Sequence, residues 1–191
     1  MNREELKEKY GKQRVPHEWR KTDVFTALAV TFLGSGMSPK APGTMGSLAA
    51  AVAAYPMTLL AATLLENNAD LFINRVCINL FFLAAAVIVF LAPVPLVNKA
   101  MKDSGTEDPG WIVIDEVCGI FMSLTFVPTA TILAHPWILA VAFALFRFFD
   151  ILKPLGIHRF EKFPEAWGVM ADDLLGGLYA GLLMIPICCL I

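Results

Sequence analysis

The sequence predicts an all-α membrane protein, a polytopic helical bundle of about five spans with a short interfacial helix ahead of the first. Three observations predict it. Hydrophobic residues make up 57% of the 191 positions and charged residues 17%, against about 45–50% and about 25% in soluble domains. Mean hydropathy is +0.64. Four long stretches carry no charged residue: 41–65, 76–98, 117–146 and 174–191. Residues 1–22 read as a polar leader and 23–191 as a single helical domain.

The leader is too long and too charged for the first part of a signal peptide, and no small-residue cleavage site follows it, so no cleavage is expected. Val24–Leu33 is apolar but only ten residues long, which suits a helix lying in the interface. Windows 41–65 and 76–98 each fit one span, since a hydrocarbon core of about 30 Å takes roughly 20 helical residues. Window 117–146 would run ~45 Å as one helix, and Pro128 and Pro136 break it. It is read as two short helices, about Gly110–Val127 and Pro136–Leu152, joined by a tight turn; a re-entrant pair would satisfy the same lengths. Window 174–191 supplies the last span.

Lysine and arginine orient the chain. Residues 1–21 hold seven of them: Arg3, Lys7, Lys9, Lys12, Arg14, Arg20 and Lys21. The leader is therefore placed in the cytoplasm. Loops 98–110 and 153–171 fall on the same side, with Lys99, Lys102, Lys153, Arg159 and Lys162. Loop 66–75 falls outside with Arg75, and the Pro128–Pro136 turn falls outside with none.

A net charge of −2 gives no basic footprint for nucleic acid. Cys77, Cys118, Cys188 and Cys189 form no C-x-x-C pair and sit in apolar runs, where cysteine is small filler rather than a zinc site or a disulfide framework. Trp111, Trp137 and Trp167 suit the aromatic belts of a bilayer. Gly177 and Gly181 match a G-x-x-x-G packing face. His17, His135 and His158 form no catalytic pattern.

The chemistry falls in four stretches. WIVIDEVCGIF sets Asp115 and Glu116 in an apolar run. FRFFDILKP sets Arg147, Asp150 and Lys153 on one arc of a helix. GVMADDLLGGLYAG sets Asp172 and Asp173 at the start of the last span. GSGMSPKAPGTMGSL leads into the first span with four glycines, the hydroxyls of Ser35, Ser38, Thr44 and Ser47, and Lys40. Thr44 is expected to cap that span, with Pro42-Gly43 making the turn. Under the orientation above, all four stretches meet at the cytoplasmic face. Ionisable residues at spans mark functional sites, because charge in lipid is costly. Five carboxylates near one plane suit a hard divalent cation, and Mg²⁺ bridges carboxylates to phosphate. Backbone amides at a helix start hold phosphate, with glycines letting it come close. Together these point to phosphoryl chemistry. A carboxylate-lined path for an ion or metal transporter is the alternative, and it would spread the acids through the membrane depth.

In these four stretches, which span residues 34–177, the chain resembles the phosphatidylglycerophosphatase A family of bacterial membrane lipid phosphatases. The resemblance implies an all-helical protein of the cytoplasmic (inner) membrane. It implies Mg²⁺-dependent removal of the terminal phosphate of phosphatidylglycerophosphate, giving phosphatidylglycerol and inorganic phosphate. By position it implies that Asp115, Glu116, Arg147, Asp150, Lys153 and Asp173 are catalytic. No C-x₅-R, D-x-D-x-[TV] or paired-histidine phosphatase motif is present, which points to metal-assisted attack by water, with an aspartyl-phosphate intermediate outside the known motifs as the alternative. In that scheme Asp115, Glu116, Asp150, Asp172 and Asp173 hold the metal. Arg147, Lys153 and the loop residues Ser35, Gly36, Lys40, Gly43, Thr44, Gly46 and Ser47 receive the phosphate.

Overall fold

Prolines and apolar length set the element boundaries. The computed structural model describes residues 18–65, 80–106, 108–154, 156–157 and 165–191, and every regular element among them is helical. The leader up to residue 17, the loop 66–75 and the stretch holding His158, Arg159 and Lys162 lie outside the described residues.

A single 3₁₀ turn (Glu18–Lys21) leads to α1 (Val24–Val30). Asp23 caps α1, accepting the Thr26 backbone N–H at 3.0 Å and the Thr26 hydroxyl at 2.7 Å. Its carboxylate also pairs with Lys99, and Thr22 Oγ1 donates to Asp103 Oδ2 at 2.8 Å. These contacts tie α1 to the helix Val94–Ser104, while Val24, Phe25 and Leu28 stay exposed, an apolar face of the kind an interfacial helix turns to lipid.

After a second 3₁₀ turn (Ser35–Met37), α2 runs Pro42–Leu65. The expected cap at Thr44 is corrected. Pro42 is the first helical residue, because its fixed φ and missing N–H suit that position, and Thr44 lies inside the first turn. α3 (Phe81–Leu91) stops at the Ala92-Pro93 turn, and α4 (Val94–Ser104) continues from it to Gly105, whose φ of 71° ends the helix. Half of the expected loop 98–110 is thus helical. Val94, Val97, Ala100 and Ser104 give α4 a buried face.

The third charge-free window forms three helices: α5 (Ile114–Leu124), α6 (Thr129–Ala134) and α7 (Ile138–Leu152). The expected tight turn contains the six-residue α6. α5 is central. Ten of its eleven residues are buried, and it packs on α8, α3, α2 and α7. Trp111 precedes it and is buried in the core, not set in a belt; Trp137 and Trp167 are well exposed. The last helix, α8 (Ala166–Cys189), begins well before its charge-free window, so Asp172 and Asp173 lie within it rather than at its start.

Among the described residues, three segments are long and apolar enough to cross a membrane: Pro42–Leu64, Phe81–Ser104 and Ala166–Cys189. α5 and α7, at 11 and 15 residues, reach only ~16 and ~22 Å, short of a core of about 30 Å.

Candidate functional site

The site begins with the way α5 meets α8. A Cβ at Gly177 would collide with the carbonyl oxygen of Gly119. A Cβ at Gly119 would strike the Phe146 ring and come within 2.8 Å of the Asp173 carbonyl oxygen. A Cβ at Gly181 would strike the Phe126 ring and lie 3.1 Å from the Ser123 carbonyl oxygen. Gly119 and Ser123 advance along α5 as Gly177 and Gly181 advance along α8, so the two helices run parallel with their backbones in contact. G-x-x-x-G packing is thus confirmed, with its partner on α5.

That register fixes the acids. Asp115 lies four residues before Gly119, and Asp173 lies four before Gly177. Residues four apart share a helix face, so both carboxylates point into the same seam at one level. With Glu116 they form a group whose ligand oxygens all lie within 4.8 Å of one another. Asp115 is fully buried, and Glu116 and Asp173 are each 2% exposed. Asp115 Oδ1, Glu116 Oε2 and Asp173 Oδ2 are buried. Three buried carboxylates this close repel one another, and bound protons or positive charge offset that repulsion. The donor set is all oxygen, which fits a hard divalent cation such as Mg²⁺. Cys118 is adjacent in sequence but turns away, its thiol donating to the Ala86 carbonyl at 3.5 Å.

The cations ring this group. On α7 the Arg147 guanidinium pairs with Asp150, three residues on, at 2.5 Å. Lys153 ends α7 in the left-handed region, φ 44°, and its ammonium reaches Asp172 on α8 at 2.5 Å. Asp150 and Asp172 are each engaged by a cation, and the tightest acidic group is Asp115, Glu116 and Asp173.

The first turn of α2 completes the arrangement. Arg147 Nη1 donates to Ser47 Oγ at 3.5 Å, and Ser47 donates to the Gly43 carbonyl at 2.7 Å. A Cβ at Gly43 would collide with Glu116 Oε1 and lie 3.5 Å from Arg147 Nη1. Gly43 and Ser47 thus face Glu116 and Arg147 directly. The rest of the glycine-rich loop does other work. Gly36 and Gly46 make room for Trp111 and Val113. Ser35 Oγ donates to the Thr31 carbonyl at 2.9 Å, and Ser38 Oγ to the Lys40 carbonyl at 2.9 Å. Thr44 is half-buried and Lys40 is exposed. All four chemical stretches meet at one end of the bundle, and the four buried acids among the described residues, Asp115, Glu116, Asp172 and Asp173, lie at that end. A path through the membrane would need such residues along its length.

Sequence reasoning missed two positioning residues. Asn98 on α4 accepts the Ala166 backbone N–H at 2.9 Å and donates to Glu165 at 3.2 Å, which fixes the start of α8. Nothing in its sequence surroundings distinguishes it. Gly119 was detectable: D-x-x-x-G occurs at Asp115–Gly119 and again at Asp173–Gly177, and the matched spacing foretells two helices packed in register.

The sequence profile of the phosphatidylglycerophosphatase A family matches residues 28–188. The chain is 42% identical to phosphatidylglycerophosphatase A of Haemophilus influenzae over 161 residues, covering 84% of this chain and 86% of the relative. It is 37% identical to phosphatidylglycerophosphatase A of Escherichia coli over 158 residues, covering 82% and 79%. It is also 38% identical to a putative phosphatidylinositol-3-phosphatase of Bacteroides thetaiotaomicron over 155 residues, covering 81% and 87%. No solved structure matches the chain.

Proposed function

The chain belongs to the phosphatidylglycerophosphatase A family, and from that premise we propose that it hydrolyses phosphatidylglycerophosphate to phosphatidylglycerol and inorganic phosphate, with Mg²⁺, at the cytoplasmic face of the inner membrane, as a step of glycerophospholipid biosynthesis. The observation that carries the chemistry is the packed trio of buried acids, Asp115, Glu116 and Asp173, beside Arg147 and the opening turn of α2.

Asp115, Glu116 and Asp173 would hold the metal. Bound there, Mg²⁺ supplies Lewis-acid polarisation of a phosphoryl oxygen and a more acidic water. The chain's own residues do the rest. Arg147 presents its guanidinium to the oxygens of the phosphomonoester, and Asp150 holds that guanidinium in place through their ion pair. Lys153, kept at the rim by Asp172, adds positive charge. The first turn of α2, whose Gly43 lies against Glu116 and Arg147, would offer the phosphate its backbone N–H groups and the positive end of the helix dipole. A water oxygen attacks phosphorus and gives its proton to a carboxylate of the trio. The bond from phosphorus to the ester oxygen breaks, and that oxygen takes back the proton held by the carboxylate and leaves as the lipid hydroxyl. The phosphate needs only to reach the interface, because the acyl chains stay in the bilayer.

The test is phosphate release by purified protein from a panel of lipid phosphomonoesters, with Mg²⁺ and with EDTA. Release from phosphatidylglycerophosphate that stops with EDTA and returns with Mg²⁺ is expected. Absence of release under every condition would sink the reading. A second headgroup is favoured by one observation, the phosphatidylinositol-3-phosphatase relative matched over most of its length. The panel therefore includes phosphatidylinositol 3-phosphate, and preferential release from it would replace phosphatidylglycerophosphate as the substrate.

A further inference from the structure

An open groove of about 720 Å³ runs along the seam between α2 and α7. Leu48, Val52 and Pro56 line one wall, and Phe143, Ala140 and Pro136 line the other. Every lining side chain is apolar except for the hydroxyl of Tyr55. Leu48 and Val52 are 42% and 65% exposed, so the groove faces outward rather than into the core. It is continuous with the site. Leu48 follows Ser47, and Phe143 lies one turn from Arg147, the two residues in contact at the rim. From there it descends past Val52 to Pro56, a run of ~12 Å along α2, close to the ~15 Å hydrocarbon depth of one leaflet.

We propose that this groove seats an acyl chain of the phosphate-bearing lipid and marks the side from which substrate enters the site. This assignment rests on the phosphatase reading above. A diacyl lipid joins an anionic head to apolar tails, and the α2–α7 seam joins the same two environments in the same order: Arg147, Ser47 and Gly43 at the top, then a trough apolar but for the Tyr55 hydroxyl. The α5–α8 seam cannot serve, because backbone contact at Gly119 and Gly177 closes it. A chain held in the groove brings the glycerol end to Arg147 and lowers the freedom lost when the headgroup reaches the acids. The groove thus sets preference for long-chain over short-chain substrates through apolar area removed from solvent and lipid disorder.

The experiment fills the groove. Val52→Trp and Ala140→Trp both alter outward-facing positions, so neither requires repacking of the core. Ile88→Trp, on an exposed face of α3, controls for an added aromatic. Activity is measured on phosphatidylglycerophosphate with long and with short acyl chains, at one fixed detergent-to-lipid ratio. The groove variants should raise KM for the long-chain substrate by about tenfold and leave kcat/KM for the short-chain substrate near that of the unaltered chain. Ile88→Trp should change neither. Equal losses on both substrates, or no loss on either, would overturn the groove assignment and leave the phosphatase reading standing. An unaltered chain inactive towards both substrates would overturn the phosphatase reading and the groove with it.

Discussion

At the scale of single residues, the division of the acids into a trio and two ion pairs predicts graded consequences. Asp173→Asn removes an oxygen ligand from the dry centre and should lower kcat by about 10³-fold, with loss of Mg²⁺ dependence. Asp150→Asn leaves the trio intact but releases Arg147, and should cost about 10- to 100-fold, as loss of a supporting partner does at a metal centre. Steady-state kinetics with magnesium titration on folded, detergent-purified variants checks both. Equal effects of the two substitutions would argue against the division. The identities of these residues were legible in the sequence, since charge is conspicuous in apolar runs. Their division was not. Whether an acid faces a cation or another acid depends on helix register, and Asp172 and Asp173, adjacent in sequence, turn to different partners: Asp172 to Lys153, Asp173 to Asp115 and Glu116.

At the scale of elements, the α5–α8 crossing and the tethers of α4 carry the argument. Gly177→Ala drives a methyl group into the Gly119 carbonyl. It should destabilise the protein by ~1–3 kcal/mol, as overpacking does, and lower activity by parting Asp115 from Asp173. Thermal unfolding in detergent, alongside activity, is the measurement; unchanged values in both would contradict backbone contact at the seam. Asn98→Ala leaves the Ala166 N–H without its acceptor and should cost ~1 kcal/mol in the same measurement. The Asp23 tether gives a pH expectation. The hydrogen bond from Lys99, then those from Thr26, hold the Asp23 carboxyl well below the usual carboxylate range. A carboxylate depressed on folding contributes fully above its unfolded pKa of about 3.9 and loses that contribution only as pH falls towards the folded value. Hydrogen-exchange protection of Val24–Val30 should therefore stay constant between pH 8 and pH 5, while Asp23→Asn lowers it across that whole range. Protection that fades between pH 8 and pH 5 would contradict this. The charge-free window 41–65 located α2 well, because a lipid-length apolar run announces itself, while window 76–98 held both α3 and the start of α4. The windows misplaced the start of α8, because buried acids inside a helix interrupt hydropathy without ending the helix. They also missed the extent of α4, whose buried face alternates with Lys99, Lys102 and Asp103.

At the scale of the whole molecule, all the reacting groups gather at one end of the bundle, and the proposal sets that end in the cytoplasm. In a chain lacking its four native cysteines, a thiol from Lys40→Cys, which is exposed beside α2, should be labelled only from the cytoplasmic side. One from Trp137→Cys, exposed at the start of α7, should be labelled only from the opposite side. Reversed labelling would invert the proposed orientation. The depth of α5 has a consequence for biogenesis. This helix is too short to cross the bilayer by itself, and it carries two acids that lipid rejects. Its shelter includes α8, which leaves the ribosome after it. A nascent chain halted before Ala166 therefore holds an acidic segment with no place to rest, open to membrane proteases, and the enzyme matures only when α8 docks.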